Sequence, residues 1–413
     1  MNQTIKTRIE QIGRGEVPEG YKKTKAGLMP CSWRSEKTYK ARDVFYSVTN
    51  KKHNGQFEVL SATQDRGVIP RSQVDIDIKY SEESISGYKK VDKGDFVISL
   101  RSFQGGIEYS EYEGLVSPAY TVLKNKLPIC DGYYKAYFKT NDYINRLNKG
   151  TYGIRDGKQV GFEDFGDMVI HYPSLAEQER IAEILGTQDK LIALKEKRIA
   201  EKKQQKKYLM QQLLTGKKRL AGYHEKWIDV KLGNIFTERV ETNCQNCELL
   251  SVTGTNGVVP RSTIETKDNS SEDKSKYLKI CKGDIGYNTM RMWQGVSALS
   301  DYEGIVSPAY TILIPSEKVS GKYFSYLFKM HAVIFLFYRF SQGIVDDTRS
   351  LKYYEFAKLH LTVPADKQEQ QAIADILSQA DKEIELLQKD LEEEKNKKKA
   401  LMQLLLTGIA RVV

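Results

Sequence analysis

The chain has 413 residues, of which 29% are charged, and its formal net charge is +10 at pH 7. A chain of this length is too large for one hydrophobic core and predicts two or more domains. The mean hydropathy is −0.52, and no apolar run approaches the ~20 residues of a membrane span. The first residues also lack the apolar core of a secretory signal. We therefore expect a cytoplasmic protein.

The charge balance favours a polyanionic partner. The sequence pI is about 9.0, which suits a nucleic-acid-binding protein, although a lysine-rich soluble protein has the same composition. The five cysteines form no paired framework of the kind that predicts a disulfide scaffold. Cys244 and Cys247 form a single CxxC with no second pair or nearby histidine. Because a tetrahedral zinc site needs four ligands, we expect no metal here.

The predicted elements follow one another in two similar halves. Residues 1–20 form an N-terminal arm, and 21–172 form a first domain with β-rich runs at 96–100 and 119–123 and a helical stretch at 133–147. A long helix spans 173–217. Residues 218–363 form a second domain with a helical stretch at 323–340, and 364–408 form a second long helix before the tail 409–413. The aromatic stripe at 324–338 is best explained as core, with base stacking as the alternative.

Three sequence segments of the first half recur in the second half. Residues 60–72 (LSATQDRGVIPRS) recur at 250–262 (LSVTGTNGVVPRS), Lys-Gly-Asp at 93–95 recurs at 282–284, and 112–123 (YEGLVSPAYTVL) recur at 302–313 (YEGIVSPAYTIL). The spacing is 190 residues in the domains, 189 at Lys-Gly-Asp, and 192 in the long helices. A tandem duplication therefore covers nearly the whole chain.

The long helices carry the heptad pattern of a coiled coil. Each opens near a proline (Pro173, Pro364), which a first helical turn tolerates, and closes on a glycine (Gly216, Gly408). Apolar residues recur in alternating steps of three and four. We expect the two helices to pair with each other through Ile181, Leu185, Ile192, Ile199, Leu209, Leu213, Ile373, Leu377, Ile384, Leu387, Leu391, Leu401 and Leu405.

The middle of the first helix has a weaker apolar pattern, because Lys195, Lys202 and Lys206 fall on the predicted pairing face. The basic run 195–207 suits contact with phosphates or a solvated helix face equally. Antiparallel pairing of two such helices, each following a domain, predicts an approximate internal two-fold. The expected fold class is therefore α+β, with two tandem mixed α/β domains joined by two long antiparallel coiled-coil helices.

Several kinds of catalysis are excluded by absent motifs. No proline is followed by another, so the Asn/Asp-Pro-Pro-Tyr/Phe loop of a DNA adenine methyltransferase is missing. There is no Gly-x4-Gly-Lys-Ser/Thr loop for nucleotide hydrolysis. The five histidines show no metal-binding spacing. We expect no catalytic residues and no enzyme activity, and a two-fold basic protein on a rigid rod suits recognition of a DNA duplex.

These features resemble the specificity (S) subunit of type I restriction–modification systems. The resemblance covers essentially the whole chain and depends on Glu177-Gln178 with Ile181, Ala182, Leu185 and Asp189 after Pro173, and on the copy of that pattern after Pro364. The Leu-Leu-Thr-Gly helix ends and the duplicated Gly-Tyr…Trp entry into each domain add to it.

The resemblance implies a function for each part. Each domain would be a target-recognition domain for one half of a gapped double-stranded DNA sequence, and the helices would set the gap. Two methyltransferase (M) subunits would bind the chain, and restriction (R) subunits could join them. S-adenosylmethionine would belong to the M subunits, and ATP and Mg²⁺ to an R subunit, so no cofactor is expected in this chain.

Comparison of the two copies predicts which residues contact DNA. Positions shared by both copies cannot distinguish two half-sites, so we assign them to phosphate contacts, shared readout or structure: Arg71 and Arg261, Arg101 and Arg291, Gln104 and Gln294. Differing positions in the same loops are better candidates for base readout, because Arg suits guanine and Asn suits adenine. They are Gln64, Asp65 and Arg66 against Gly254, Thr255 and Asn256, and Ser102 and Phe103 against Met292 and Trp293.

A third candidate loop precedes each long helix. It contains Arg155 and Lys158 in the first copy and Arg349 in the second. Ser117-Pro-Ala-Tyr120 and its identical copy at 307–310 are interpreted as turns that pack on the core. The alternative to DNA recognition is a coiled-coil scaffold that binds only proteins, and the net charge and the Arg/Gln-bearing loops count against it.

Overall fold

The chain was analysed as a computed structural model, which describes residues 3–33, 39–74, 82–150, 160–244, 247–254, 257–265, 270–343, 345 and 348–412. Its first half contains ten strands and seven α-helices among these residues. Their bounds are α1 (Gln3–Gly13), β1 (Tyr21–Thr24), β2 (Gly27–Pro30), α2 (Ala41–Val44), β3 (Phe45–Val48), β4 (Leu60–Thr63), β5 (Gly67–Pro70), β6 (Lys89–Val91), β7 (Phe96–Ile98), α3 (Ser102–Gly105), β8 (Glu108–Tyr109), β9 (Gly114–Val116), β10 (Thr121–Asn125), α4 (Asp131–Tyr137), α5 (Asn141–Gly150), α6 (Phe162–Gly166) and α7 (Leu175–Leu213).

The second half largely repeats this order among its described residues. The elements are β11 (Trp227–Lys231), β12 (Phe236–Glu238), β13 (Leu250–Thr253), β14 (Gly257–Pro260), β15 (Leu278–Ile280), β16 (Ile285–Asn288), β17 (Ser297–Leu299), β18 (Gly304–Val306), β19 (Tyr310–Pro315), α8 (Gly321–Leu327), α9 (His331–Phe340), α10 (Tyr353–Phe356), β20 (His360–Pro364) and α11 (Lys367–Leu406).

The chain divides into two compact units. Unit 1 comprises Met1–Lys195 with Asp390–Val413, and unit 2 comprises Glu196–Lys389. Each long helix therefore contributes residues to both units. The mixed α/β composition and the two long helices α7 and α11 agree with the predicted fold class.

Each unit is built on an antiparallel four-stranded sheet of the same topology. The strand order is β3-β10-β7-β8 in unit 1 and β12-β19-β16-β17 in unit 2. Leu123 pairs with Phe96 in the first sheet, and Leu313 pairs with Ile285 in the second. Both units also contain equivalent hairpins, β4-β5 and β13-β14, and equivalent pairs, β6-β9 and β15-β18. The tandem duplication predicted from the sequence is thus repeated in the fold.

The largest core of each unit lies between the sheet and the short helices and is rich in aromatic side chains. In unit 1, Phe45 packs edge-on against Tyr134 with ring centroids 5.2 Å apart. In unit 2, Phe236 packs edge-on against Phe324 at 5.1 Å. Phe324, Phe328 and Phe337 are fully buried, as the core interpretation of that stripe predicts, whereas Phe335 is 54% exposed.

The long helices pair antiparallel within each unit. In unit 1, Lys195 lies 2.6 Å from Asp390, and Gln188 donates to Glu394 at 2.5 Å. In unit 2, Lys202 lies 2.8 Å from Glu383. The apolar residues predicted to pair are all buried or half-buried. The lysines that weaken the apolar pattern therefore face acidic residues of the other helix and form ion pairs there.

The prediction for the two prolines was wrong. Pro173 and Pro364 do not lie in a first helical turn, because α7 begins at Leu175 and Pro364 ends β20, paired with Trp227. Their carbonyl oxygens instead accept hydrogen bonds from Gln178 and Gln370. The helical stretch predicted at 133–147 forms as two helices, α4 and α5, since Thr140 ends one turn and its hydroxyl accepts from the amide of Tyr143.

The ends of the long helices confirm the glycine prediction. Gly216 and Gly408 adopt φ values of +69° and +73°, which favour glycine after a helix. A Cβ atom on Gly408 would also lie only 2.4 Å from Pro30 and 2.9 Å from Trp33. Glycine is therefore required at position 408 for both conformation and space.

Candidate nucleic-acid interface

Two of the predicted DNA-binding loops meet in unit 1. The β4–β5 turn carries Gln64, Asp65 and Arg66, all exposed, and the segment after β7 carries exposed Arg101 and Gln104. The two are adjacent, because a Cβ atom on Gly105 would lie 2.5 Å from the side chain of Gln64. Amide and guanidinium groups of both loops thus lie on one surface, as base or phosphate contacts require.

Lys139 holds these two loops together. Its Nζ donates to the carbonyl oxygens of Gln64 at 3.1 Å and Gly105 at 2.8 Å, and to Glu108 at 2.5 Å. Burial raises the pKa of the Glu108 carboxyl to about 7, although the charge of Lys139 acts to lower it. Lys139 was not among the predicted site residues, yet the identical residue at position 329 was an available signal.

Lys329 makes a similar contact in unit 2 without the acidic partner. Its Nζ donates to the carbonyl oxygen of Gly295 at 2.7 Å. Ala298 occupies the position equivalent to Glu108 by the 190-residue spacing. Burial therefore lowers the pKa of Lys329 to about 8, and the charge of Lys206 adds to the effect.

The shared arginines lie near the Ser-Pro-Ala-Tyr motifs. Burial raises the pKa of the Tyr120 hydroxyl, and the positive charges of Arg71 and Arg101 both act to lower it. The amide of Tyr120 donates to the carbonyl oxygen of Ser117 at 3.0 Å, and Tyr120 packs on an apolar cluster. The motif is thus the turn that the sequence predicts. In unit 2, Arg261 acts in the same way on Tyr310.

An aromatic cluster brings two predicted loops together in unit 2. The guanidinium of Arg349 lies 4.0 Å from the ring centroid of Tyr338, and one of its nitrogens donates to the Tyr338 hydroxyl at 3.1 Å. Trp293 packs edge-on against the same ring at 6.1 Å. Arg291 and Gln294 on either side of Trp293 are exposed. Tyr338, which sequence analysis assigned to the core stripe, therefore links the second and third candidate loops.

Two candidates have buried side chains. Ser102 is 1% exposed, and its hydroxyl accepts from the amide of Ser99 at 2.8 Å. Met292 is 0% exposed within the main core of unit 2. In these positions both side chains stabilise the turn and do not face solvent. Their neighbours in the two loops, Phe103 and Trp293, are half-buried and therefore accessible. Arg155, Lys158, Thr255 and Asn256 lie outside the described residues.

The basic run on α7 divides into two groups. Lys195, Lys202 and Lys206 form ion pairs with α11 residues of their own unit. Lys197, Arg198, Lys203 and Lys207 are exposed. Only this second group remains available to phosphates.

No group of three or more His, Cys, Asp or Glu side chains that could hold a metal ion occurs in the described part of the chain. A helix with the length and apolar character needed to cross a membrane is also not found among those residues.

Comparison with known proteins identifies relatives over both halves. Residues 37–204 and 224–395 match the family described as "Type I restriction modification DNA specificity domain". The type I restriction enzyme MjaVIII specificity subunit of Methanocaldococcus jannaschii is 25% identical over 352 residues, covering 78% of this chain and 80% of that protein.

Solved structures share the fold. The S subunit of a type I restriction–modification system from M. genitalium aligns over 91% of this chain and 96% of its own, with 12% identity and a TM-score of 0.53. A chain from a study of complex assembly and conformational transition of the type I R-M system aligns over 96% of this chain and 100% of its own, with 13% identity and a TM-score of 0.51.

Proposed function

Because the chain belongs to the type I restriction–modification specificity family, a family of sequence-specific DNA-recognition subunits, we propose that each of its two domains reads one half of a gapped DNA target. The chain itself is not an enzyme; it specifies where a type I complex acts, with DNA and a methyltransferase as its partners. The observation that carries the proposal is the duplication of both the domain and its exposed Arg/Gln loops.

The loops support different roles for shared and differing residues. We assign Arg101 and Arg291, which are exposed and identical in the two copies, to the DNA backbone or to a shared base. We assign base discrimination to Gln64, Asp65 and Arg66 in unit 1, and to the Trp293–Arg349 cluster in unit 2. Such a division follows the general rule that phosphate contacts position a protein and base contacts specify the sequence.

The remaining assignments concern the assembly. We propose that two methyltransferase subunits bind, one for each half of the duplication, and that restriction subunits join this complex. S-adenosylmethionine would then be bound by the methyltransferase, and ATP and Mg²⁺ by the restriction subunit. Because we expect the chain to act on DNA together with a methyltransferase, we propose the cytoplasm as its location.

Salt-dependent DNA binding tests this function. The complex with its methyltransferase is titrated with duplexes that carry or lack the target, and Arg101→Ala and Arg291→Ala are compared with Lys25→Ala, an exposed lysine in the β1–β2 turn. Each arginine variant should bind more weakly, and the slope of log K against log salt should fall by about 0.9 for each phosphate that the variant no longer neutralises. Binding that is independent of the target and unchanged by either arginine variant would contradict the proposal, and absence of DNA binding by this chain would favour the protein scaffold.

A further inference from the structure

The two units differ at the contact between the domain and the long helices. In unit 2, Tyr326 on α8 reaches the helix pair: its hydroxyl donates to Asp381 of α11 at 2.8 Å. The ammonium of Lys206 lies 5.2 Å from the centroid of the Tyr326 ring and also pairs with Asp381. Ser378 lies beside the same hydroxyl. The phenol of Tyr326 thus occupies the position beside Asp381 and Lys206 in unit 2.

Unit 1 retains the acceptor and the cation but lacks the phenol. By the repeat spacing, Asp189 and Lys398 are equivalent to Asp381 and Lys206, and they form an ion pair. Ala136 is equivalent to Tyr326, and Gly186 is equivalent to Ser378. A Cβ atom on Gly186 would meet no atom within 4 Å. Because Ala136 and Gly186 are smaller than Tyr326 and Ser378, unit 1 has open space where the Tyr326 side chain lies in unit 2.

That space is one end of a solvent-open cavity of about 960 Å³ that extends to Gln64, Asp65 and Arg66 of the β4–β5 turn. Ala136, Gly186, Asp189 and Lys398 line this end, together with apolar side chains such as Leu185 and Met402. One wall is held close to α7, because a Cβ atom on Gly132 would lie 3.0 Å from the Cβ of Ala182. The cavity is therefore a feature of the packed unit.

We propose that this cavity binds a tyrosine side chain of a partner polypeptide, with the phenol hydroxyl on Asp189 and the ring beside Lys398. The template is the arrangement of Tyr326, Asp381 and Lys206 in unit 2. Aromatic side chains are common anchors of protein interfaces, and a lysine beside an aromatic ring contributes a favourable cation–π interaction.

The size and lining favour a polypeptide over a free phenol. The volume lies at the upper end of the ~300–1,000 Å³ typical of ligand pockets, so a single phenol ring would leave most of it unfilled. The apolar residues beside the Asp189–Lys398 pair would contact side chains adjacent to the tyrosine. The chain would thus hold a partner at unit 1 in a manner that unit 2 does not permit.

Binding of N-acetyl-tyrosinamide to the full-length chain tests the proposal without DNA or methyltransferase, so the result is independent of the proposed function. Isothermal titration and ligand-observed NMR should show one saturable site. N-acetyl-phenylalaninamide, which lacks the hydroxyl, should bind about tenfold more weakly, as loss of a hydrogen bond to a charged group predicts. Free phenol is titrated in parallel.

Matched variants test whether the ligand binds in the cavity beside Ala136. Ala136→Tyr should occupy the place beside Asp189 and Lys398 and abolish binding, whereas Ala136→Ser should retain it. Tyr326→Ala should create a second site in unit 2, giving two bound ligands in place of one. Misfolding could explain a loss of binding in Ala136→Tyr, but it cannot explain a gain of a second bound ligand in Tyr326→Ala.

Three results would overturn the proposal: no binding of N-acetyl-tyrosinamide to the natural chain, equal binding to Ala136→Tyr, or equal affinity for the phenylalanine analogue. Binding of free phenol alone would show that the cavity takes a small ligand and would overturn the assignment to a partner polypeptide.

Discussion

Arg411 lies at the end of the chain and binds the buried carboxylate of Glu177 at the start of α7. Its Nε and one terminal nitrogen donate to the two carboxylate oxygens at 2.6 and 2.9 Å. Glu177 is 1% exposed and also accepts from the indole of Trp33 at 2.8 Å. The C-terminal tail therefore closes unit 1 against the beginning of its first long helix.

Unit 2 contains the same arrangement at the equivalent residues. Arg219 follows α7 and binds both oxygens of Glu369 at 2.6 and 2.7 Å. In each unit, the arginine that follows one long helix pairs with the glutamate that opens the other. The duplicated glutamate near the start of each long helix and the arginine three residues after each helix-ending glycine thus have one structural explanation.

Arg411→Met should destabilise unit 1 strongly. Removing the cation leaves the buried Glu177 carboxylate without its charge partner, and changes of this kind cost about 3–5 kcal/mol. Calorimetry should show the transition of unit 1 at a lower temperature. Replacement of both residues, Arg411→Met with Glu177→Leu, should restore much of the stability, because no buried charge remains. A single-variant Tm within about 1 °C of the natural protein would contradict this role.

His171 should make unit 1 sensitive to acid. The ring is buried, with its nitrogens 2.9 Å from the carbonyl oxygen of Leu406 and 3.2 Å from that of Ala26, and burial lowers the pKa of His171 to about 4 from 6.5. The unfolded chain therefore takes up a proton before the folded chain does. The stability that this histidine contributes is present above pH 6.5 and is lost as pH falls towards 4.

His171→Gln isolates this effect. Between pH 6.5 and 4, the natural protein should lose about 2–3 kcal/mol relative to the variant, since one pKa unit corresponds to roughly 1.4 kcal/mol. Denaturant unfolding across this pH range measures it. Parallel stability curves for the two proteins would refute the assignment.

Lys329 should give a pH dependence of the same sign in an alkaline range. Its pKa is lowered to about 8 from 10.5, so its contribution is fully present only above pH 10.5 and is lost as pH falls through 8. Relative to Lys329→Met, the natural protein should gain about 2 kcal/mol between pH 8 and 10.5. Lys139→Met is the matched comparison in unit 1, where Glu108 supplies the counter-charge. An unfolding free-energy difference between Lys329→Met and the natural protein that stays constant from pH 8 to 10.5 would argue against a buried ammonium.

Exchange of residues 64–66 for 254–256 should alter one half-site only. The exchange removes the Gln64, Asp65 and Arg66 side chains while unit 2 stays unchanged. Sequencing of modified bases in cells carrying the exchange should show one half of the target changed and the other retained. The reverse exchange at 254–256 is the control and should change the other half. An unaltered target in both would remove this loop from base readout.

The fold was predictable where the sequence repeats itself. Identical motifs at a fixed spacing implied equivalent domains, and the glycines at 216 and 408 marked the helix ends. The apolar heptads predicted helix pairing. The interpretation of the Lys195–Lys206 stretch as weak was incomplete, because its acidic partners lie 175 to 195 residues away along the chain. The register of two paired helices cannot be predicted from the sequence of either helix alone.

The candidate site was predictable only in part. Exposed Arg101 and Gln104 agree with a role in binding, but burial of Ser102 and Met292 depends on tertiary packing that loop position does not reveal. The contact of Arg349 with Tyr338 also required the fold, since the two residues belong to separate segments. The cavity at Ala136 follows from comparing two packed units, and a single copy would not have indicated it.

The proposed role of this chain is to direct methylation to a two-part DNA sequence. Modified-base sequencing of the host genome, with and without the gene and with its methyltransferase expressed, tests that role most directly. We predict a gapped motif that is methylated in the presence of the gene and unmethylated after its deletion. A methylation pattern identical in the two strains would contradict the proposal.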